Sequence, residues 1–276
     1  MSGHLTKSNI SKCGNLASQI HQYFSLLAMS KTYDKKLCFS ERLESLGHGM
    51  KFAKFLDIFL DTFDPKDESK FIRKEIIQDI GSNPEENIDI LDNFDLYSSW
   101  YYSEAEEEIS QIKIKKDILS EAIKQLEIIR QDIDQIPIVG VHIRRGDYLL
   151  PQHRLYINLD HYYYNKAIEQ LDIDKYHLLF FSDDTRWVQS NIHLIETNGQ
   201  KTSIATGNSD YVDLALMSLC THNIIANSSF SWIAAYLNKN PNKKIICPIN
   251  YLQDDPNNPL AKMINKNYFP ETWKAI

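Results

Sequence analysis

Residues 138–150 read Ile-Val-Gly-Val-His-Ile-Arg-Arg-Gly-Asp-Tyr-Leu-Leu. The apolar, β-branched opening predicts a buried strand, and two adjacent arginines, Arg144 and Arg145, stand directly at its end. Fixed positive charge there has two readings: rim or ion-paired side chains serving structure, or donors for an anion held beyond the strand. Upstream, Pro137 closes an amphipathic helical pattern over residues 104–135, in which Leu119, Ile123, Leu126 and Ile133 step along one face. Downstream, apolar runs alternate with helical patterns. "YHLLFFSDD" and "KKIICP" read as strands and "HNII" as a short one, while "HYYYNKAIEQL", "DTRWVQSNI", "DYVDLALMSLCT" and "SFSWIAAYLN" read as helices. Such alternation predicts an α/β chain with a parallel sheet covered on both faces.

The first half is less regular. A helix is expected over residues 19–36, a strand at "KLCF", and only a loose assignment is possible for residues 50–80. A chain of 276 residues suits one large domain or two, and a boundary is expected near Pro137. The formal charge of -7 argues against general affinity for nucleic acid, so any anion must bind at a local site. Cys13, Cys38, Cys220 and Cys247 form no CxxC pair and read as reduced thiols of an intracellular protein. No apolar run is long enough to span a membrane, and the polar first twelve residues carry no signal-peptide pattern. The glycosylation triplets at Asn9 and Asn227 read as chance, and the Arg145-Gly146-Asp147 tripeptide is discounted because it sits at a strand end inside a larger pattern.

In open parallel sheets, ligands gather beyond the carboxyl ends of strands. Three polar groups fall there: His142 to Asp147; Ser182, Asp183 and Asp184; and Asn227, Ser228, Ser229 and Ser231. The last group opens a helix, whose first N–H groups and serine hydroxyls suit an anion. Arginine adds a donor fork that matches phosphate oxygens two at a time. The combination predicts a diphosphate site, although each group alone is also explained by capping or ion pairing. No P-loop, GxGxxG, GxSxG or HExxH pattern is present.

The segments "HIRRGDY", "FFSDDTRWVQ", "YVDLALMSLCTHNIIANSSFSWIAAYLN" and "YFPETWKAI" together resemble the α-1,2-fucosyltransferase family, glycosyltransferase family 11. "GNLASQIHQYFSLLA" is similar to that family's GRLGNQMFQYA signature, and "DLYSSWYY" at residues 95–102 to its YFQSxKYF segment. The resemblance spans nearly the whole chain. It implies a GT-B fold of two Rossmann-like domains facing a central cleft. Residues 1–135 would form the acceptor side and residues 136–276 the GDP-fucose side, with the last helix allowed to pack back on the first domain.

The implied activity is inverting transfer of L-fucose from GDP-β-L-fucose to O2 of a terminal β-galactoside. The implied partners are GDP-fucose as co-substrate and a galactoside-terminated oligosaccharide or glycolipid precursor. No cofactor or metal, nucleic acid or integral membrane segment is expected. The expected location is cytoplasmic, with peripheral contact at the inner face of the membrane allowed. Carried over by position, His142, Arg144, Arg145, Ser182, Asp183, Asp184, Asn227, Ser228, Ser229 and Ser231 would bind the donor. Arg144, Arg145 and Asp147 would be catalytic, Asp147 as candidate base or as an ion-pair partner, with Glu or His residues of the first half as rival bases. Gly14, Gln19 and Tyr148 would lie on the acceptor side.

Ala17, Ser18 and His21 depart from the first motif, Asp95-Leu96-Tyr97 from the second, and Ile233 from the SFSWW element. Most departures fall in the acceptor half, so donor chemistry carries over more securely. The alternatives are a fucosyltransferase of other linkage or acceptor, and a non-catalytic GDP-sugar-binding relative.

Overall fold

A computed structural model of the chain describes residues 2–74, 83, 85–91, 98–133, 135–255 and 257–276. Asp95, Leu96 and Tyr97, half of the segment likened to YFQSxKYF, lie outside the described residues. The chain divides into two compact units, residues 1–116 and 117–276. The division therefore precedes the helix Lys116–Gln131 instead of following it at 135/136. The residues after that helix are tied into the second unit, where Lys201 Nζ donates to the Asp132 carbonyl at 2.8 Å. The amphipathic helical pattern over 104–135 is broken into two helices, Glu106–Gln111 and Lys116–Gln131. Between them Lys113–Ile114 pairs with Leu56–Asp57.

The first unit is built on a parallel four-stranded sheet in the order Lys36–Leu37, His4–Thr6, Ile88–Ile90, Ile72–Lys74. The helix Leu16–Thr32 packs Ile20, Phe24 and Ala28, all fully buried, in the same unit as Leu5 and Ile88. Tyr102 closes over this helix, with its ring edge-on to Phe24 and beside His21.

The second unit holds a six-stranded, wholly parallel sheet. Its spatial order is Lys201–Ile204, His177–Ser182, Ile138–Ile143, His222–Ile224, Ile245–Cys247, Lys274–Ala275. Numbered within the unit this is 3-2-1-4-5-6, the Rossmann order. All six residues of Ile138–Ile143 are buried, as a central strand covered on both faces must be. Val139, Val141 and Ile143 join Tyr164, Ile168, Phe180 and Val188 in one core cluster. The helix Ser229–Leu237 is apolar nearly all round, with Trp232, Ile233, Ala234 and Ala235 fully buried. Trp273 and Tyr268 of the tail pack on Trp232, and Lys274–Ala275 adds the last strand, so the tail completes the second sheet.

Candidate functional site

Strand order reverses between Ile138–Ile143 and His222–Ile224, because the chain runs outward on one side of the first strand and then on the other. Beyond the carboxyl ends at such a switch point, adjacent loops part and leave a crevice. Residues 144–149 follow the first strand, residues 183–184 its neighbour on one side, and residues 225–228 its neighbour on the other. All three predicted polar groups therefore meet at one end of one sheet.

The register Ser182↔Ile143 sets the next contacts. It brings Asp183 beside the arginine loop, where its Oδ1 accepts from the Arg145 backbone N–H at 2.9 Å. Its Oδ2 lies 3.1 Å from Arg144 Nη1. Gly146 is required at the same point, since a Cβ there would stand 2.2 Å from Asp183 Oδ2. Arg144 also donates through Nη2 to Asp147 Oδ1 at 2.5 Å. Burial alone would lower the Arg144 pKa, but the charges of Asp183 and Asp147 more than offset this, and the guanidinium is held more firmly protonated than a free one. Asp147 therefore sits in the ion pair weighed as its structural role, while its Oδ2 has no partner among the described residues.

Arg145 is held differently. Its Cζ lies 3.8 Å from the centroid of the Trp187 ring, and its Nε is 3.7 Å from Asp184 Oδ2. Asp184 caps the helix Thr185–Asn191 by accepting from the Trp187 N–H at 3.0 Å, and Ser182 Oγ accepts from the Asp184 N–H. His142 is 3% exposed, with its ring centroid 5.2 Å from that of Phe230 and no hydrogen-bond partner on Nδ1 among the described residues. Burial, aided by the charge of Arg144, pushes its pKa down to about 3, so the ring is neutral.

On the third loop, Asn227 is a brace. Its Nδ2 donates to the carbonyls of Ile157 and Tyr251, each at 2.9 Å, and its own carbonyl accepts from Tyr148 Oη. Tyr148 stacks on Tyr156, and burial raises its phenol pKa. Ser228 stands at the N-cap of Ser229–Leu237 without a side-chain bond to the first turn, whose N–H groups lack intrahelical acceptors as at any helix start. Ser231 Oγ turns back to the Ala226 and Ser228 carbonyls at 3.3 Å and is fully buried.

Sequence reading missed Trp187, the clamping role of Asp183, and two tyrosines of the helix His161–Glu169. Tyr164 Oη donates to the His142 carbonyl and Tyr163 Oη to the Ile225 carbonyl, fixing the ends of both central strands. The available signal for Trp187 was an aromatic three residues after the Asp184 cap.

Gly14 and Gln19 belong to the first unit. Gly14 has φ +90°, a left-handed conformation suited to glycine, just before the helix that Asn15 caps. Gln19 is fully buried, donating to the Gly49 carbonyl at 3.1 Å and accepting from the Phe52 N–H. His21 is also buried, 2.6 Å from Tyr102 Oη through Nδ1, and burial pushes its pKa down to about 3. Among the described residues no three His, Cys, Asp or Glu side chains converge as metal ligands, and no helix is long and apolar enough to cross a membrane.

The profile of glycosyl transferase family 11 matches residues 3–275. An α-1,2-colitosyltransferase of Escherichia coli is 35% identical over 141 residues, covering 50% of this chain and 47% of that protein. The galactoside α-(1,2)-fucosyltransferase 1 of Homo sapiens is 27% identical over 240 residues, covering 81% and 63%. The chain thus spans between about half and two thirds of the length of these relatives. Among solved structures, the NodZ α-1,6-fucosyltransferase soaked with GDP-fucose superposes with a TM-score of 0.52 at 12% identity, covering 85% of this chain and 92% of that one. Likeness at this identity speaks to the fold, which is of the α/β GT-B type.

Proposed function

The chain belongs to glycosyl transferase family 11, and from that premise we propose that it moves L-fucose from GDP-β-L-fucose to O2 of a terminal β-galactoside, with inversion. One observation carries the reading: two arginines, a buried neutral histidine and the opening of an apolar helix meet at the switch point of a 3-2-1-4-5-6 parallel sheet. That set suits a diphosphate, and the sugar it carries is inferred from the relatives.

Breaking the fucosyl–phosphate bond builds negative charge on the departing GDP. Arg144 and Arg145 take up that charge where it develops, which is usually the largest catalytic term; losing one such donor costs on the order of 10²–10³ in rate. In this reading the arginines serve where other transferases use a metal, so activity persists in EDTA. His142 enters as a neutral ring and competes for no proton. Asp147 is the proposed base through Oδ2, while Oδ1 keeps Arg144 aligned. The acceptor is an oligosaccharide or glycolipid precursor, met in the cytoplasm or at the inner membrane face.

A second reading changes only the sugar. The 35% identical colitosyltransferase favours it, since colitose is fucose lacking one ring hydroxyl. Offering GDP-fucose and GDP-colitose with a panel of β-galactosides in EDTA, and reading linkage by NMR, separates the two. An α-1,2-fucosyl product that disappears in Asp147→Asn while GDP still binds supports the first reading. Colitosyl product alone supports the second, and no product from either sugar defeats both.

A further inference from the structure

We propose that Trp187 is a positioning residue for the donor, its indole ring holding the Arg145 guanidinium ready for the diphosphate. This rests on the reading that a nucleoside diphosphate binds at these strand ends. The two arginines differ in what they touch. Arg144 is bound by two carboxylates, Asp147 and Asp183. The Arg145 side chain is only 17% exposed, yet its guanidinium donates no hydrogen bond among the described residues. Its neighbours are the Trp187 ring, 3.8 Å below Cζ, and the Asp184 carboxylate at 3.7 Å, beyond good hydrogen-bond length.

A largely buried guanidinium with unused donors costs free energy unless an anion meets it or a surface supports it. A ring face supports it without consuming a single N–H, because the quadrupole attracts the flat cation from below and leaves the donor fork in its plane. The shelf itself is fixed. The Trp187 N–H is held by Asp184 Oδ1 at 3.0 Å, and its carbonyl accepts from Asn191 Nδ2 at 2.8 Å. Its ring packs on the core of the second unit. Asp184 thus serves both partners, capping the helix that carries the tryptophan through one oxygen and facing the arginine with the other. Lysine in place of Arg145 would lose this stack, since a compact ammonium has no planar face.

The test is a double-mutant cycle read by calorimetric titration of GDP onto wild type, Trp187→Leu, Arg145→Ala and the double variant. Trp187→Phe serves as the conservative control. Trp187→Leu is expected to weaken GDP binding about 2- to 30-fold, the span of a cation–π contact from exposed to desolvated. In the Arg145→Ala background the same change is expected to cost less than about twofold, the scatter of uncoupled sites. Trp187→Phe, which keeps a ring face, is expected to retain most of the affinity. Equal losses in both backgrounds would mean that Trp187 serves the fold alone and would overturn the inference, as would an affinity unmoved by Trp187→Leu. A wild-type chain that fails to bind GDP overturns the diphosphate reading itself, and this inference with it.

Discussion

Arg144 and Arg145 stood out in the sequence because paired charge at the end of an apolar run needs a reason. Their separate fates did not, because they depend on the pairing of strands 38 residues apart, which puts Asp183 against the Arg145 N–H. Gly146 is the tightest point of that pairing. In Gly146→Ala the new methyl, 2.2 Å from Asp183 Oδ2, displaces the carboxylate and breaks its bonds to the Arg144 guanidinium and the Arg145 backbone N–H. Loss of charge-assisted bonds of this kind is worth ~1.5–3 kcal/mol each, so GDP affinity is expected to fall by roughly 10- to 100-fold, measurable by titration. His142 gives a pH signature. Its folded pKa of about 3 lies below the ordinary 6.5, so between those values the unfolded chain binds a proton that the folded chain refuses. Stability present above pH 6.5 is therefore lost as pH falls, by ~1.4 kcal/mol per pH unit for each such histidine. His21 behaves alike in the first unit. His177 and His222 of the same unit are also held below the ordinary value by burial, so urea melts of the second unit at pH 6.5 and 5 are expected to show at least this slope, and His142→Gln to reduce it.

At the scale of elements, the strands buried on both faces were legible and the edges were not. Ile138–Ile143 and His177–Ser182 are mostly apolar and buried along nearly their whole length, which suits strands covered on both faces. Lys201–Ile204 and Lys274–Ala275 border the sheet, carry polar or exposed residues, and show no comparable pattern. His4–Thr6 escaped for another reason. Three residues among polar neighbours make a weak signal, although Leu5 is fully buried at the centre of the first sheet. Asn227 shows the limit of motif reading, since the resemblance assigns its position to donor binding while its amide holds two loops together. Asn227→Asp removes both donors and leaves two carbonyls without their partner. At ~1–2 kcal/mol per stranded group the cost is roughly 3 kcal/mol, or about 6–12 °C in Tm, and thermal melting reads it.

For the whole molecule, two units each built on a parallel sheet follow from the alternation of apolar runs and helical patterns, and the second half displayed it openly. The first half did not: its longest helix, Leu16–Thr32, buries polar residues such as Gln19, His21 and Gln22 among apolar ones, which blurs periodicity. The division falls at Lys116, whereas Pro137 was the visible stop in sequence, because the chain just after helix Lys116–Gln131 is bonded to the second unit. The strand order itself could not be read, yet it is what gathers residues from 142 to 231 at one end of one sheet. The most direct test of that placement is hydrogen–deuterium exchange of the chain with and without GDP. Protection concentrated in residues 142–149, 182–188 and 226–231 is the predicted result. GDP that protects other segments and leaves these three unchanged would contradict the account.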